Sequence, residues 1–306
     1  MPDCRKSSQQ TQKDFRYCVN GIIQYNGTRK GERTVLYMTV LFSKDDNRNG
    51  MVRDHMDEKQ NGKRLNQYIA SCGVCSRREA DRYVEDGRVT VNDAPAQTGM
   101  RIREGDQVCV DGERIQPDQE KVVLAYYKPC GVVCTERDTH AEQTIIEALH
   151  YPIRVTYAGR LDQDSDGLMI MTNDGMLINA MMKGANLHEK EYLEQVDRTV
   201  THQFMERMAA GVWLEELEVR TRPCKVIPVG KDTFRIILTQ GLNRQIRRMC
   251  QENGYEVINL TRTRIMNIRL DGLSVGEYRK IEGQELAQLY RDCQMEAEGN
   301  RINGNK

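Results

Sequence analysis

Gly159-Arg160-Leu161-Asp162-Gln163-Asp164-Ser165-Asp166-Gly167-Leu168-Met169-Ile170-Met171-Thr172-Asn173-Asp174-Gly175 reads as a polar, glycine-punctuated loop, an apolar run and an Asn-Asp-Gly turn. A short apolar run bounded by turn signals is the pattern of a buried strand. Such a strand braces the loop before it, and loops held by a rigid element are natural carriers of reactive side chains. Asp162, Asp164 and Asp166 stand at alternate positions in this loop. On composition alone a solvated acidic turn and a reactive site are both open. A calcium loop is disfavoured, because the later glutamate of an EF-hand is missing.

Around this stretch, residues 121–295 read as one domain. Strands are expected at 122–127, 168–172, 191–197 and 234–238. Helices are expected at 141–149, 176–182, 201–210 and 243–252, with Gly254 placed to end the last. Helices and strands mix without a regular βαβ alternation, which predicts an α+β fold rather than a doubly wound one.

Upstream lies a smaller α+β module, residues 63–120. Leu65, Tyr68 and Ile69 share one face of a short helix that Gly73 ends. Ser76 and Glu79 form the spacing of a capping box opening a second helix to Glu85. The stretches 88–92 and 107–112 alternate like strands, the first turning at Asn92-Asp93. Residues 1–62 are polar and low in periodicity, which predicts a disordered leader with a single strand-like run, 35–42. Met51 and Met56 are alternative starts that would make the leader dispensable; intact leader peptides in the native protein would count against that. The polar tail, residues 296–306, is expected to be flexible.

Lys+Arg and Asp+Glu are equal at 45 each, so a site for a polyanion must come from local clustering. Arg77, Arg78 and Arg82 cluster on the capped helix; Arg244, Arg247 and Arg248, with Arg262, Arg264 and Arg269, cluster later. No stretch approaches the roughly 18 apolar residues of a spanning helix. Residues 2–17 lack a secretory apolar run, so a cytoplasmic protein is expected. Ten cysteines in such a chain need no disulfide framework. Cys72 and Cys75 form a Cys-x-x-Cys that no second pair completes as a zinc site. A redox dithiol fits the spacing, but two helices meet there and small buried fillers are the better expectation. His188 has no partner ligand nearby in sequence, and Trp213 is expected to pack under the sheet.

Gly-Arg-Leu-Asp at 159–162, Ser-x-Gly-Leu at 165–168 and Thr-Asn-Asp-Gly at 172–175 closely resemble the signature of the RsuA/RluB/RluE/RluF family of pseudouridine synthases. Three more segments agree in order: Lys128-Pro129-x-Gly131, Lys190-Glu-Tyr192 within His188–Tyr192, and Asn243-Arg-Gln-Ile-Arg247-Arg-Met249. The module at 63–120 resembles an S4 RNA-binding domain of the αL type, which the family carries at its N-terminus. The wording at 188–193, 240–250 and 262–267 is nearest to RluF-type members. These modify large-subunit rRNA, and some modify a tRNA also.

The resemblance implies an S4 domain followed by a catalytic domain on a mixed, mostly antiparallel sheet, working without metal or cofactor. It implies an RNA partner, large-subunit rRNA or its assembly intermediates and in some relatives a tRNA, with neither a membrane nor an obligate protein partner. Asp162 corresponds to the family's catalytic carboxylate, which acts as nucleophile at C1′ of a uridine or assists loss and recapture of the base. Arg247 corresponds to its counter-charge, expected as a bidentate pair with Asp162 that keeps a buried carboxylate ionised. Tyr192 corresponds to the aromatic that stacks on the uracil and relays a proton. Lys190 is expected to support the pocket or a phosphate, and Arg160 to enter the space left by a flipped base or grip the next phosphate. Asn243, Arg244, Arg248, Arg77, Arg78 and Arg82 are expected RNA contacts. Asp164 and Asp166 are expected to be structural or exposed. Two other classes compete with this reading. A non-catalytic RNA-binding or ribosome-assembly factor predicts erosion of Asp162, Tyr192 or Arg247, and all three are present. A glycosidase-like hydrolase wants two carboxylates across a sugar, which one short loop does not supply.

Overall fold

The computed structural model describes residues 22–29, 32–39, 62–117, 120–136 and 142–295. The chain divides into two compact units, residues 1–63 and 64–306. In the first, Ile22–Arg29 pairs antiparallel with Glu32–Thr39 in a hairpin. The strand expected at 35–42 coincides with the second arm over 35–39. The first arm is a correction, since a segment read as disordered forms a strand; Ile22, Ile23 and Tyr25 are β-formers that the polar surroundings diluted. The remaining leader and the tail 296–306 lie outside the described residues.

The second unit opens with two helices, α1 (Leu65–Ser71) and α2 (Arg77–Glu85). Leu65 and Ile69, one turn apart, bury on the same face of α1. Ser76 caps α2 by accepting the Glu79 amide at 3.3 Å, an N-cap contact that stabilises by about 1 kcal/mol. Strands β1 (Val89–Val91) and β2 (Val108–Val110) pair antiparallel inside a four-stranded sheet. Their alternate valines close a core with Leu65, Ile69, Ala80 and Val84. Cys75 is a buried filler of that core and Cys72 is half-buried beside it.

The larger part is built on β3 (Val123–Lys128), α3 (Ile145–Leu149), β4 (Asp166–Thr172), α4 (Gly175–Met182), β5 (Lys190–Val196), α5 (His202–Ala210), β6 (Lys225–Pro228), β7 (Thr233–Leu238), α6 (Gln245–Glu252), β8 (Val257–Ile265), β9 (Tyr278–Lys280) and α7 (Gly283–Asp292). The sheet runs in the order β6-β7-β5-β8-β4-β3-β9, and two short strands at Thr156–Tyr157 and Ile268–Arg269 join it. Only β4 and β8 pair in parallel among its described ladders. The fold is therefore α+β, a small two-helix module with a four-stranded sheet followed by a mixed, mostly antiparallel sheet. No described helix is long and apolar enough to cross a membrane.

β4 is buried on both faces: Leu168, Met169, Ile170 and Met171 each expose 0% of their surface. Met169 and Met171 pack into a core shared with Phe204 and Met208 of α5 and Ile246 and Met249 of α6. The parallel contact with β8 is short, Asp166 to Thr261 and Gly167 to Arg262. Gly167 has φ +113°, and a Cβ there would lie 2.4 Å from the Arg262 carbonyl oxygen, so only glycine lets the two backbones meet. This seam fixes where the Asp162 loop enters the sheet.

Two expectations about side-chain direction are corrected. Trp213 is 44% exposed, because on its two-residue strand the alternate Leu214 takes the core position. Arg262 is 2% exposed and Arg264 is bonded to Glu189 and Glu191, so neither belongs to a basic surface; both lie on an interior strand of the sheet.

Candidate active site

The loop between Gly159 and β4 is held at its backbone by cations from three elements. Lys128, at the end of β3 and 0% exposed, donates Nζ hydrogen bonds to the carbonyls of Pro129 (2.7 Å) and Ser165 (2.8 Å). Burial pushes its ammonium down from its ordinary value, although Cys134, Cys130 and Asp166 oppose this. Arg262 of β8 donates Nε to the Leu168 carbonyl (2.7 Å) and Nη1 to the Arg160 carbonyl (3.2 Å). Arg247 of α6 donates Nη2 to the Asp164 carbonyl (2.7 Å) and the Ser165 hydroxyl (3.2 Å), while its Nη1 reaches the Val257 carbonyl (3.2 Å). The Lys-Pro-x-Gly turn completes the bracing: Gly131 donates its amide to the Gln163 carbonyl at 2.8 Å.

The carboxylates of the loop separate in role. Asp164 takes a bidentate pair from Arg244, at 3.1 and 2.7 Å, and that guanidinium holds its carboxyl below the usual range. Asp162 is left with Arg244 Nη1 at 3.7 Å, a looser contact. The expected bidentate Arg247–Asp162 pair is thus corrected. Arg247 grips the backbone beneath the carboxylates and meets Asp164 at 3.4 Å, and Arg244 is the cation facing Asp162. The reason is local: Arg244 precedes α6 with a left-handed backbone, φ 49°, which swings its side chain over the loop. Asp166 accepts from the Tyr127 hydroxyl at 3.4 Å at the foot of β4.

Asp162 and Arg244 line a cleft of about 640 Å³ together with Arg160, Lys190, Tyr192, Asn243 and Arg247. Seven of the residues marked in the sequence therefore converge on one concavity. Tyr192 is half-buried on β5, packed against the core below. Burial pushes its phenol up, the Arg262 guanidinium pulls it down, and the charges of Glu194 and Asp162 add to the upward shift. Burial likewise lowers the Lys190 ammonium, with Arg262 adding to the effect. A half-buried tyrosine, a cleft carboxylate and exposed Arg160 make a slot with one aromatic wall and a cationic rim, suited to a flat base on a phosphate chain.

Four marked residues stand outside the cleft lining. Arg248 folds back on Asn243, its Nε 3.1 Å from that residue's carbonyl, and pairs with Glu216. Arg77, Arg78 and Arg82 are exposed on α2 of the small two-helix module. Sequence reasoning gives Lys128 no role and counts Arg262 with a basic cluster, whereas both are buried cations behind the loop. The signal for Lys128 is its place in Lys-Pro-x-Gly; Arg262 carries none that separates it from a surface arginine.

Comparison with known proteins identifies the family. Residues 122–252 match the RNA pseudouridylate synthase family and residues 63–108 the S4 domain family. The dual-specificity RNA pseudouridine synthase RluF of Escherichia coli K12 is 46% identical over 230 residues, covering 74% of this chain and 78% of that protein. A ribosomal large subunit pseudouridine synthase B of Bacillus subtilis is 31% identical over 232 residues, covering 74% and 95%. A solved pseudouridylate synthase, 27% identical, superposes with a TM-score of 0.56 over 74% of this chain and 99% of its own.

Proposed function

Because this chain belongs to the RNA pseudouridylate synthase family and is itself a pseudouridine synthase carrying an S4 RNA-binding domain, we propose that Asp162 is the carboxylate that works at C1′ of a uridine in large-subunit rRNA. The observation that carries this reading is the convergence of Asp162, Tyr192 and Arg244 on one cleft. The reaction breaks the N1–C1′ bond and forms C5–C1′; the C5 proton leaves and N1 regains one, with no net redox change. Asp162 is loosely paired, so its oxygens are free to approach C1′ as nucleophile. Tyr192 supplies the stacking face for the flipped uracil and lies close enough to Asp162 to feel its charge, which suits proton relay at C5. Arg247 and Lys128 hold the loop so that Asp162 meets the sugar without rearrangement. Arg160 and Arg244 take the phosphates either side of the extruded nucleotide.

The choice of large-subunit rRNA rests on the activity for which the Bacillus relative is named, and a tRNA is proposed as second substrate from the dual specificity of RluF. Work on either RNA implies a cytoplasmic protein. The test is carbodiimide mapping of pseudouridine in rRNA and tRNA from a deletion strain complemented with wild type or Asp162→Asn. One lost stop that only wild type restores supports the reading and names the uridine. If no stop changes, or Asp162→Asn restores it, the catalytic assignment is wrong.

A further inference from the structure

Glu194 stands two residues beyond Tyr192 on β5, and alternation puts both on the face that carries the cleft. It exposes 0% of its surface, and neither carboxyl oxygen has a hydrogen-bond partner. Buried polar groups are nearly always satisfied, so a carboxyl with two orphaned oxygens calls for an explanation. Across from it is Arg247, whose Nε is also buried and unbonded while Nη1 and Nη2 are committed elsewhere. Arg247 is the cation whose charge acts on Glu194, and no hydrogen bond joins the two. Cys250 of α6 and Tyr192 of its own strand are the other titratable groups that feel Glu194.

An isolated buried carboxylate is costly, and burial here pushes the Glu194 carboxyl well up. Neutral, it makes no demand on Arg247, and the guanidinium serves the Asp162 loop. Ionised, it can be stabilised only by drawing that guanidinium toward itself, and Nε is the atom already free to turn. We propose that Glu194 is a positioning residue that decides where Arg247 points: protonated, it leaves the guanidinium on the Asp164 carbonyl and the Ser165 hydroxyl; ionised, it withdraws it and slackens the loop that displays Asp162. The inference rests on the proposed role of Asp162 for its effect on rate, but the movement of Arg247 does not depend on that role.

Two measurements keep those apart. The first follows the 15N resonance of the Arg247 Nε group in wild type and Glu194→Gln from acid pH up to the most alkaline pH at which the fold persists. A titrating shift is expected in wild type, and the isosteric, uncharged amide of the Glu194→Gln variant is expected to abolish it. The second is single-turnover pseudouridine formation on saturating large-subunit rRNA extracted from cells lacking the gene. The wild-type rate is expected to fall at the alkaline end, by roughly tenfold per pH unit once Glu194 titrates, with KM little changed. Glu194→Gln is expected to hold its rate there. Lys190, also lowered by burial, faces the cleft from the same strand, but its titration would persist in Glu194→Gln. An Arg247 resonance flat in wild type, or an alkaline fall retained in Glu194→Gln, overturns the proposal. A wild type that forms no pseudouridine while Arg247 still titrates would sink the reading of Asp162 and leave the pairing standing.

Discussion

Arg244 divides its attention between two neighbouring carboxylates, closing on Asp164 at 2.7 Å and standing 3.7 Å from Asp162. The tighter partner is an anchor and the looser one stays available. Asp164 therefore contributes to stability with a definite sign. Its folded carboxyl titrates below its unfolded value, so the contribution is present at neutral pH and is lost as pH falls through the folded value. Asp164→Asn is expected to lower the thermal midpoint at neutral pH, with the gap to wild type narrowing in acid. A gap that widens on acidification would contradict the pairing. Lys128→Met removes the donor to two carbonyls and should cost about 1–3 kcal/mol in stability. The Asp162 loop would also drift, and a displacement of about 1 Å costs about a hundredfold in rate. Steady-state kinetics on a variant confirmed as folded would show a fall in kcat with KM nearly constant. At this scale the sequence names the players well and their partners less well. Arg247 is recognisable by its motif, but a motif says nothing of side-chain direction. The left-handed backbone of Arg244, which reverses the expected pairing, falls on an arginine and so lacks the glycine or asparagine that usually marks such a position in a sequence.

Among the elements, α2 and β4 are legible in the sequence because their signals are local. Ser76 with Glu79 marks a helix start, and four apolar residues between turns mark a strand buried on both sides. Ser76→Ala should cost about 1 kcal/mol. The loss belongs in the amide protection of the first turn of α2, read by hydrogen exchange, and protection unchanged there would discount the cap. The parallel meeting of β4 with β8 is not legible, since it joins residues some 95 positions apart by a backbone contact that leaves no periodicity. It leaves one trace, Gly167. Gly167→Ala forces a positive φ on a residue with a Cβ, about 1–3 kcal/mol by itself, and drives that Cβ into the Arg262 backbone. Chemical denaturation should show the loss, and a neutral result would mean that the seam is slack. Trp213 fails for a related reason: on a two-residue strand nothing in the local pattern decides which side chain faces inward.

For the molecule as a whole, equal numbers of acidic and basic residues rule out a long-range pull on RNA by net charge, so association must depend on placed arginines. Replacing Arg77, Arg78 and Arg82 together by alanine should weaken binding of large-subunit rRNA and flatten the dependence of log affinity on log salt by about 2 to 3, leaving the saturated rate intact. Filter binding across a salt series measures this, and an unchanged slope would remove α2 from the RNA footprint. The braced loop beneath Asp162 carries a consequence for selectivity. Lys128, Arg247 and Arg262 have already ordered the enzyme's half of the encounter, so little binding energy goes into shaping the protein. The burden of rearrangement then falls on the nucleic acid, which must surrender a base from its stack. Such a catalyst ranks its substrates by how readily they deform: a uridine already loosened in a bulge or a tight hairpin is favoured over the same letters locked in a duplex.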